Sequence, residues 1–165
     1  MIFVTVGTHE QQFDRLVEFM DKWAGLHDED VILQTGYSMY VPLNCKSQPF
    51  FSYQEMCALF DEARIVITHG GPASFIAPLR LGKVPIVVPR KKKYKEHIND
   101  HQTIFCRNVE KRMHSIILVE DVRELNYTID KYEEILKVRH KDNLGNSNEI
   151  FCKRLDEIVG ELFED

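Results

Sequence analysis

Arg64-Ile65-Val66-Ile67-Thr68-His69-Gly70-Gly71-Pro72-Ala73-Ser74 is the stretch that decides the fold. Its first five residues form an almost continuous apolar run, the pattern of a strand covered on both faces, and His69-Gly70-Gly71 bounds it. A small-residue helix is expected from Ala73 to Leu81, stopped by Gly82, with Pro78 placed to kink or shorten it. Pro85 to Pro89 then reads as the next strand.

The same alternation extends in both directions. Ile2 to Val6 is a β-rich run ended by Gly7, and Phe13, Leu16, Val17 and Met20 recur at helical spacing. Val31 to Gln34 repeats the strand signal. Gln48 to Phe51 predicts a further short strand before a helix containing Met56, Leu59 and Phe60. Beyond the basic loop Arg90 to Lys95, the pattern predicts a helix from His97 to Asn108 and a strand from Ser115 to Val119. Two helical patterns close the chain, over 122–139 and 147–163, separated by the turn around Asn143 to Ser147. Strands alternating with helices need crossover connections, which predicts one α/β, Rossmann-like domain over residues 1–165, with a mainly parallel sheet.

Composition limits what such a domain can do. With 44% hydrophobic and 28% charged residues the chain is of ordinary globular make-up, and its net charge of −5 excludes broad attraction to nucleic acid. Cys45, Cys57, Cys106 and Cys152 lie far apart, so neither a zinc site nor a redox pair is read, and most are expected in the core. No secretory signal is read, and no apolar run approaches the roughly 20 residues of a membrane helix. A cytoplasmic protein is expected, with any membrane contact peripheral.

In open parallel sheets ligands sit beyond the carboxyl ends of the strands, and three features fall there. His69 to Ser74 joins a buried-type strand to a helix, where backbone N–H groups and the helix dipole favour phosphate. Ser74 offers a hydroxyl and His69 an imidazole, although two glycines in a tight turn explain the segment equally well. Gly7-Thr8-His9 matches neither the GxGxxG fingerprint nor the GxxxxGK[ST] loop, and an ordinary strand-to-helix turn accounts for it in isolation. His9 is the candidate base, since imidazole titrates near neutrality. Glu96-His97-Ile98-Asn99-Asp100-His101-Gln102 packs six polar side chains into seven positions, suited to sugar hydroxyls or to a solvated helix start. The preceding Arg90-Lys91-Lys92-Lys93-Tyr94-Lys95 suits a solvated loop, anionic lipid headgroups or a substrate diphosphate.

Taken together, Val4 to Thr8, Ile67 to Ser74, Gly82 to Arg90 and Glu96 to Gln102 resemble one family over about residues 1–120. These are the short, split GT-B glycosyltransferases of bacterial capsule and exopolysaccharide synthesis. In particular the chain is similar to the catalytic subunits of capsular β-1,4-galactosyltransferases, and through them to the donor-binding subunit of the dolichol-diphosphate GlcNAc-transferase. The resemblance implies the C-terminal, donor-binding half of a GT-B enzyme and a UDP-sugar donor, UDP-galactose first and UDP-GlcNAc second. It also implies inverting transfer with no bound metal or other cofactor, and a membrane-associated partner subunit presenting a lipid-diphosphate-linked saccharide. By position, Gly7 and Thr8 line the cleft, and His69, Gly70, Gly71 and Ser74 hold the diphosphate with help from Arg90. Asn99, Asp100 and Gln102 face the sugar, with Glu96 and His101 as neighbours. One departure stands out: Ala77 replaces a glutamate that relatives place three residues after the serine to bind the ribose. A non-catalytic subunit that stimulates its partner, or an NAD-dependent oxidoreductase, are the rival readings.

Overall fold

The structure is a computed structural model that describes residues 1–142. Its centre is a six-stranded, wholly parallel sheet in the order β3-β2-β1-β4-β5-β6, formed by β1 (Ile2–Thr5), β2 (Val31–Gln34), β3 (Lys46–Gln48), β4 (Ile65–His69), β5 (Ile86–Val88) and β6 (Ile117–Leu118). Strand β1 pairs with β2 on one side and β4 on the other, Phe3 lying between Ile32 and Val66. The chain therefore winds outward from β1, returns to β4 and winds the other way. That reversal opens a crevice between the loops following β1 and β4.

The apolar runs are continuous because both faces of the sheet are covered. Ile2, Val4, Val6, Leu33, Ile65, Ile67, Ile86 and Val88 pack with Leu16, Val17 and Met20 of α1 (Asp14–Ala24). Leu125 and Ile129 of α5 (Leu125–Asp130) and Tyr132, which opens α6 (Tyr132–Asp142), complete that layer. The alternate residues Phe3, Val66 and Val87 face α2 (Tyr53–Glu62), α3 (Pro72–Arg80) and α4 (His101–Met113), which contribute Phe60, Phe75, Phe105 and Val109. Local rules fix the helix ends. Ser52 and Glu55 form a reciprocal capping box at the start of α2, and Lys83 Nζ closes its other end by donating to the carbonyls of Phe60, Asp61 and Ala63.

Several boundaries differ from the pattern-based expectation. The third strand is Lys46–Gln48, not Gln48 to Phe51, and the sixth shrinks to Ile117–Leu118. Helix α3 begins at Pro72, whose missing N–H costs nothing at a first helical position, and runs past Pro78 to Arg80. Helix α4 starts at His101, four residues after the expected His97, because the side chains before it are engaged in loop contacts described below. The single helix expected over 122–139 is instead a 3-10 turn at Val122–Glu124 followed by α5 and α6. The pattern at 147–163 and Cys152 lie outside the described residues. Of the other thiols, Cys106 is buried, Cys45 partly so, and Cys57 is exposed, against the expectation of a core position.

The β2–β3 connection has no helix. In its place a strap from Thr35 to Cys45 runs along α1, held by two carboxylates of that helix. Asp14 Oδ1 accepts the backbone N–H groups of Met39 (2.7 Å) and Tyr40 (3.1 Å). Asp21, fully buried, accepts from the N–H groups of Leu43 (2.9 Å) and Asn44 (2.7 Å) and from the Tyr40 hydroxyl (2.9 Å). Burial alone would raise its pKa, but these donors outweigh it and hold the carboxyl below its ordinary 3.8. Its stabilisation is thus complete above pH 3.8 and is lost as pH falls through the lower folded value. Asp21→Ala should cost roughly 2–3 kcal/mol in urea unfolding at pH 7, with a penalty that shrinks below pH ~3.8. An equal penalty at both pH values would show that the carboxylate is not what holds the strap.

Candidate functional site

A cleft of about 860 Å³ opens at the carboxyl edge of the sheet, where the strand order reverses. Gly7, Thr8, His9 and Glu10 line it from the loop after β1, and His69, Gly71 and Ser74 from the loop and helix after β4. Two of the three expected segments therefore converge. From the third, only His97 and Gln102 reach the lining.

His69 organises the centre. The Gly71 N–H donates to its Nδ1 (3.0 Å), so that nitrogen carries no proton in the neutral ring. The proton then sits on Nε2, which donates to Ser74 Oγ (2.5 Å). Burial, followed by the nearby Arg90 charge, pushes the His69 pKa down to about 3, so the neutral tautomer holds at physiological pH. Both ring nitrogens are used inside the protein, which corrects the expectation that His69 itself donates to a phosphate. Its effect passes through Ser74, whose hydroxyl accepts from the ring and keeps its own proton for a ligand. The glycines are also explained differently. A Cβ on Gly7, where φ is +75°, would stand 2.4 Å from His69 Nε2, and one on Gly71 would stand 2.3 Å from Cε1. These two glycines make room for the imidazole between them.

Arg90 is a second correction. Its side chain is fully buried, with Nη1 donating to the carbonyls of Gln11 (2.8 Å), Gln12 (3.0 Å) and Glu96 (3.2 Å), and Nη2 to that of Val6 (2.8 Å). The guanidinium also lies 4.8 Å from the centre of the Phe13 ring. Desolvation brings its pKa down to about 10, still cationic at neutral pH. A group so committed cannot turn to a diphosphate. Glu96 is likewise buried, paired with Arg15 through 2.8 and 2.9 Å bonds and accepting the Lys91 N–H (2.9 Å), so it does not face a sugar.

The rest of that segment divides. Gln102 Oε1 accepts the N–H groups of both Gly70 and Arg90 at 3.1 Å, bridging the ends of β4 and β5 at the cleft wall. Asn99 is half-buried, its Oδ1 3.0 Å from His97 Nδ1. Asp100 is exposed and accepts the Lys92 N–H (2.9 Å), and His101 is exposed at the first turn of α4. None of these three lines the cleft, against the expectation for them.

Sequence reasoning gave no individual role to three groups of residues. His97 stands against His9, ring centres 4.9 Å apart, and burial together with that neighbour holds its pKa below the ordinary histidine value. Thr5 and Gln34 form a polar floor, joined through a 3.1 Å bond, with the Gly7 N–H donating to Thr5 Oγ1 (3.1 Å). Phe50, Phe51, Met56 and Phe60 make an apolar wall of the same cleft. A polar Thr5 and Gln34 ending two otherwise apolar strands was the available signal for the floor; nothing in the sequence brought Phe50 to the same place as His9.

Residues 1–148 match the glycosyltransferase family 28 C-terminal domain, and the chain belongs to that family. A search of curated proteins finds no match. Among solved structures the chain is similar to the glycosyltransferase SnogD from Streptomyces nogalater, at 21% identity and a TM-score of 0.49 over 84% of this chain. It spans 38% of that protein's length.

The ring geometry yields a direct test. The His69 imidazole should remain neutral, with its proton on Nε2, down to about pH 4 in a nitrogen-detected NMR titration, because its pKa is near 3. Unfolding frees the ring to protonate near 6.5, so this residue withdraws stability as pH falls from 6.5 toward 3. A titration midpoint near 6.5 in the folded protein would refute the assignment.

Proposed function

We propose that this domain is the catalytic, nucleotide-sugar-binding half of a two-component inverting glycosyltransferase. It takes a UDP-hexose, UDP-galactose before UDP-GlcNAc, and transfers the sugar to a lipid-diphosphate-linked saccharide in capsule or exopolysaccharide synthesis. The observation that carries this reading is the start of α3 at the switch-point cleft, with the Ser74 hydroxyl set by His69. An anion is favoured there by the helix dipole and by a hydroxyl with its proton to spare. The apolar wall of Phe50, Phe51, Met56 and Phe60 suits a flat base, and the Thr5–Gln34 floor suits ribose hydroxyls that no carboxylate at Ala77 receives.

In the reaction an acceptor hydroxyl oxygen bonds to the anomeric carbon from the face opposite the diphosphate. The bond from that carbon to the diphosphate oxygen breaks, and UDP leaves with its electron pair. The hydroxyl proton passes to a base, for which His9 is the candidate in this chain; its Nε2 is occupied by Gln11 Oε1 (3.0 Å), leaving Nδ1. We propose that no resident metal takes part. Among the described residues lining the cleft none is Lys or Arg, so the leaving diphosphate draws on the helix terminus and on a cation supplied by the partner subunit.

That lack of a lining cation also favours a second reading, a non-catalytic subunit that stimulates its partner. Reconstitution separates the two. The isolated domain should bind UDP but transfer sugar slowly, with a large rise on adding the acceptor-binding partner. Ser74→Ala should weaken UDP binding in calorimetry by roughly ten- to a hundredfold, the worth of a hydrogen bond to a charged group, without unfolding the domain. His9→Ala should lower the reconstituted rate while sparing UDP affinity. If both variants support full activity with the partner present, the chain is not the catalytic half.

A further inference from the structure

The strap between β2 and β3 turns alternate side chains outward, and they are apolar. Tyr37, Met39, Val41 and Leu43 are exposed, the last three at 79, 73 and 85%. From the turn at Tyr37, through the irregular stretch 38–42, to the bend at Leu43, these side chains form a row along the strap beside α1. Solvation does not explain it, since an eleven-residue crossover on the surface would ordinarily turn polar side chains to water. The backbone is not loose either: Asp14 anchors it at Met39 and Tyr40, and Asp21 at Leu43 and Asn44. The ridge is presented by design of its anchors, with Tyr40 and Cys45 turned inward to the core.

The strap itself carries little charge. From Val31 to Gln54 the chain carries no carboxylate and a single cation, Lys46, in a protein with 26 Asp and Glu. The basic loop adjoins the strap through one short segment. Gln12 Nε2 donates to the Tyr94 carbonyl (3.0 Å), Phe13 N–H donates to Ser38 Oγ (3.1 Å), and Asp14 holds Met39 and Tyr40. Within that loop Lys91 is paired with Glu120, but Lys92, Lys93 and Lys95 are exposed, and Tyr94 is half-exposed beneath Lys93. Of the carboxylates nearby, Asp14 and Asp21 are engaged by the strap, Glu96 by Arg15, Glu18 by Lys22, Glu29 by Arg64 and Asp100 by the Lys92 N–H, while Asp28 and Asp30 are exposed near Leu43 and Lys46, at the end of the strap away from the lysine loop. Glu10 at the cleft rim is exposed.

We infer that the strap ridge and the Lys92–Lys95 loop form a docking surface for an anionic phospholipid bilayer, the apolar side chains entering the headgroup boundary and the lysines lying over it. A protein partner would match an uncharged ridge alone. The adjoining lysines, with no acidic residue in the strap to oppose them, give complementarity to a negative surface and select the bilayer. Neither half suffices: few basic residues bind weakly, and a short ridge buries little. Together they supply the two signals that stable peripheral attachment needs. This inference does not depend on the donor or the reaction, and it places the domain on lipid through its own surface rather than through a partner alone.

The test is sedimentation of the purified chain with vesicles of phosphatidylcholine and with vesicles of equal phosphatidylcholine and phosphatidylglycerol. Binding to the anionic vesicles should exceed binding to the neutral ones by at least ~tenfold. Lys92→Gln/Lys93→Gln/Lys95→Gln should remove roughly a hundredfold of it, about a factor of five per lysine. Met39→Ser/Val41→Ser/Leu43→Ser should weaken it at least ~tenfold. These side chains are exposed, so the variants should keep their circular dichroism and their UDP affinity, separating this result from the fate of the donor-site reading. Equal sedimentation with both vesicle types, none with either, or anionic binding unchanged by the strap variant would each overturn the proposal. So would a wild-type dimer, seen in sedimentation velocity without vesicle binding, that the strap variant dissociates: the ridge would then belong to a second copy of the chain.

Discussion

The buried guanidinium of Arg90 is the constraint on which the candidate site rests. Its two terminal nitrogens reach four carbonyls in three segments: Val6 at the end of β1, Gln11 and Gln12 before α1, and Glu96 before α4. The carbonyls of Val6 and Glu96 would otherwise lie in the interior without this donor, which is costly, and a single planar cation satisfies them together with the partly buried carbonyls of Gln11 and Gln12. Lysine could not, since its three donors radiate from one point and lack the fork. The carboxylate of Glu96, one residue from His97, closes the arrangement by gripping Arg15 and the Lys91 N–H. As a result the loop carrying His9 and the loop carrying His97 meet with their rings 4.9 Å apart, although 87 residues separate them in sequence (97 − 9 − 1).

His69 applies the same economy to the other wall. A protonated imidazole between Gly7 and Gly71, near Arg90, would place two buried cations together; the neutral tautomer avoids this and fixes the direction of each hydrogen bond. The glycines, read in the sequence as turn residues or as part of a phosphate-holding segment, permit close approach of a side chain. Substituting either would drive a methyl group into the ring before any ligand was bound.

What was legible in the sequence followed from periodicity and from turn chemistry. The runs at Ile2 to Val6 and Ile65 to Thr68 read as buried parallel strands because both faces of the sheet are covered, so no alternation dilutes them. Gly7, Thr8, Gly71 and Ser74 fell at the cleft because strand ends in an open α/β sheet must. What was not legible involved partners distant in the chain. Arg90 and Glu96 look like surface charge in a Lys-rich loop, and only the carbonyls of Val6 and Gln11 and the guanidinium of Arg15 reveal them as interior. The strap was unreadable for a similar reason: it has no periodic structure of its own and takes its course from Asp14 and Asp21, which in sequence are ordinary polar positions on an amphipathic helix.

The placement of charge has a consequence for how such a site would work. Because Arg90 is spent on the fold and His69 is neutral, the cleft offers a dianionic ligand a helix terminus and a hydroxyl but no fixed cation from the lining residues described. A helix terminus contributes at most about 2 kcal/mol to an anion, and a hydroxyl hydrogen bond to a charged oxygen about as much. Such terms can hold a nucleotide, yet the charge that grows on a departing diphosphate calls for more stabilisation than the ground state does. A site built this way would bind its donor passably and react poorly until a second body closed over it with a cation. On the proposed reading that body is the acceptor-binding subunit, so the group that completes the leaving-group site arrives together with the acceptor. Hydrolysis of the donor by water is then restrained by the same deficiency: without the partner, the charge that cleavage releases has too little to meet it.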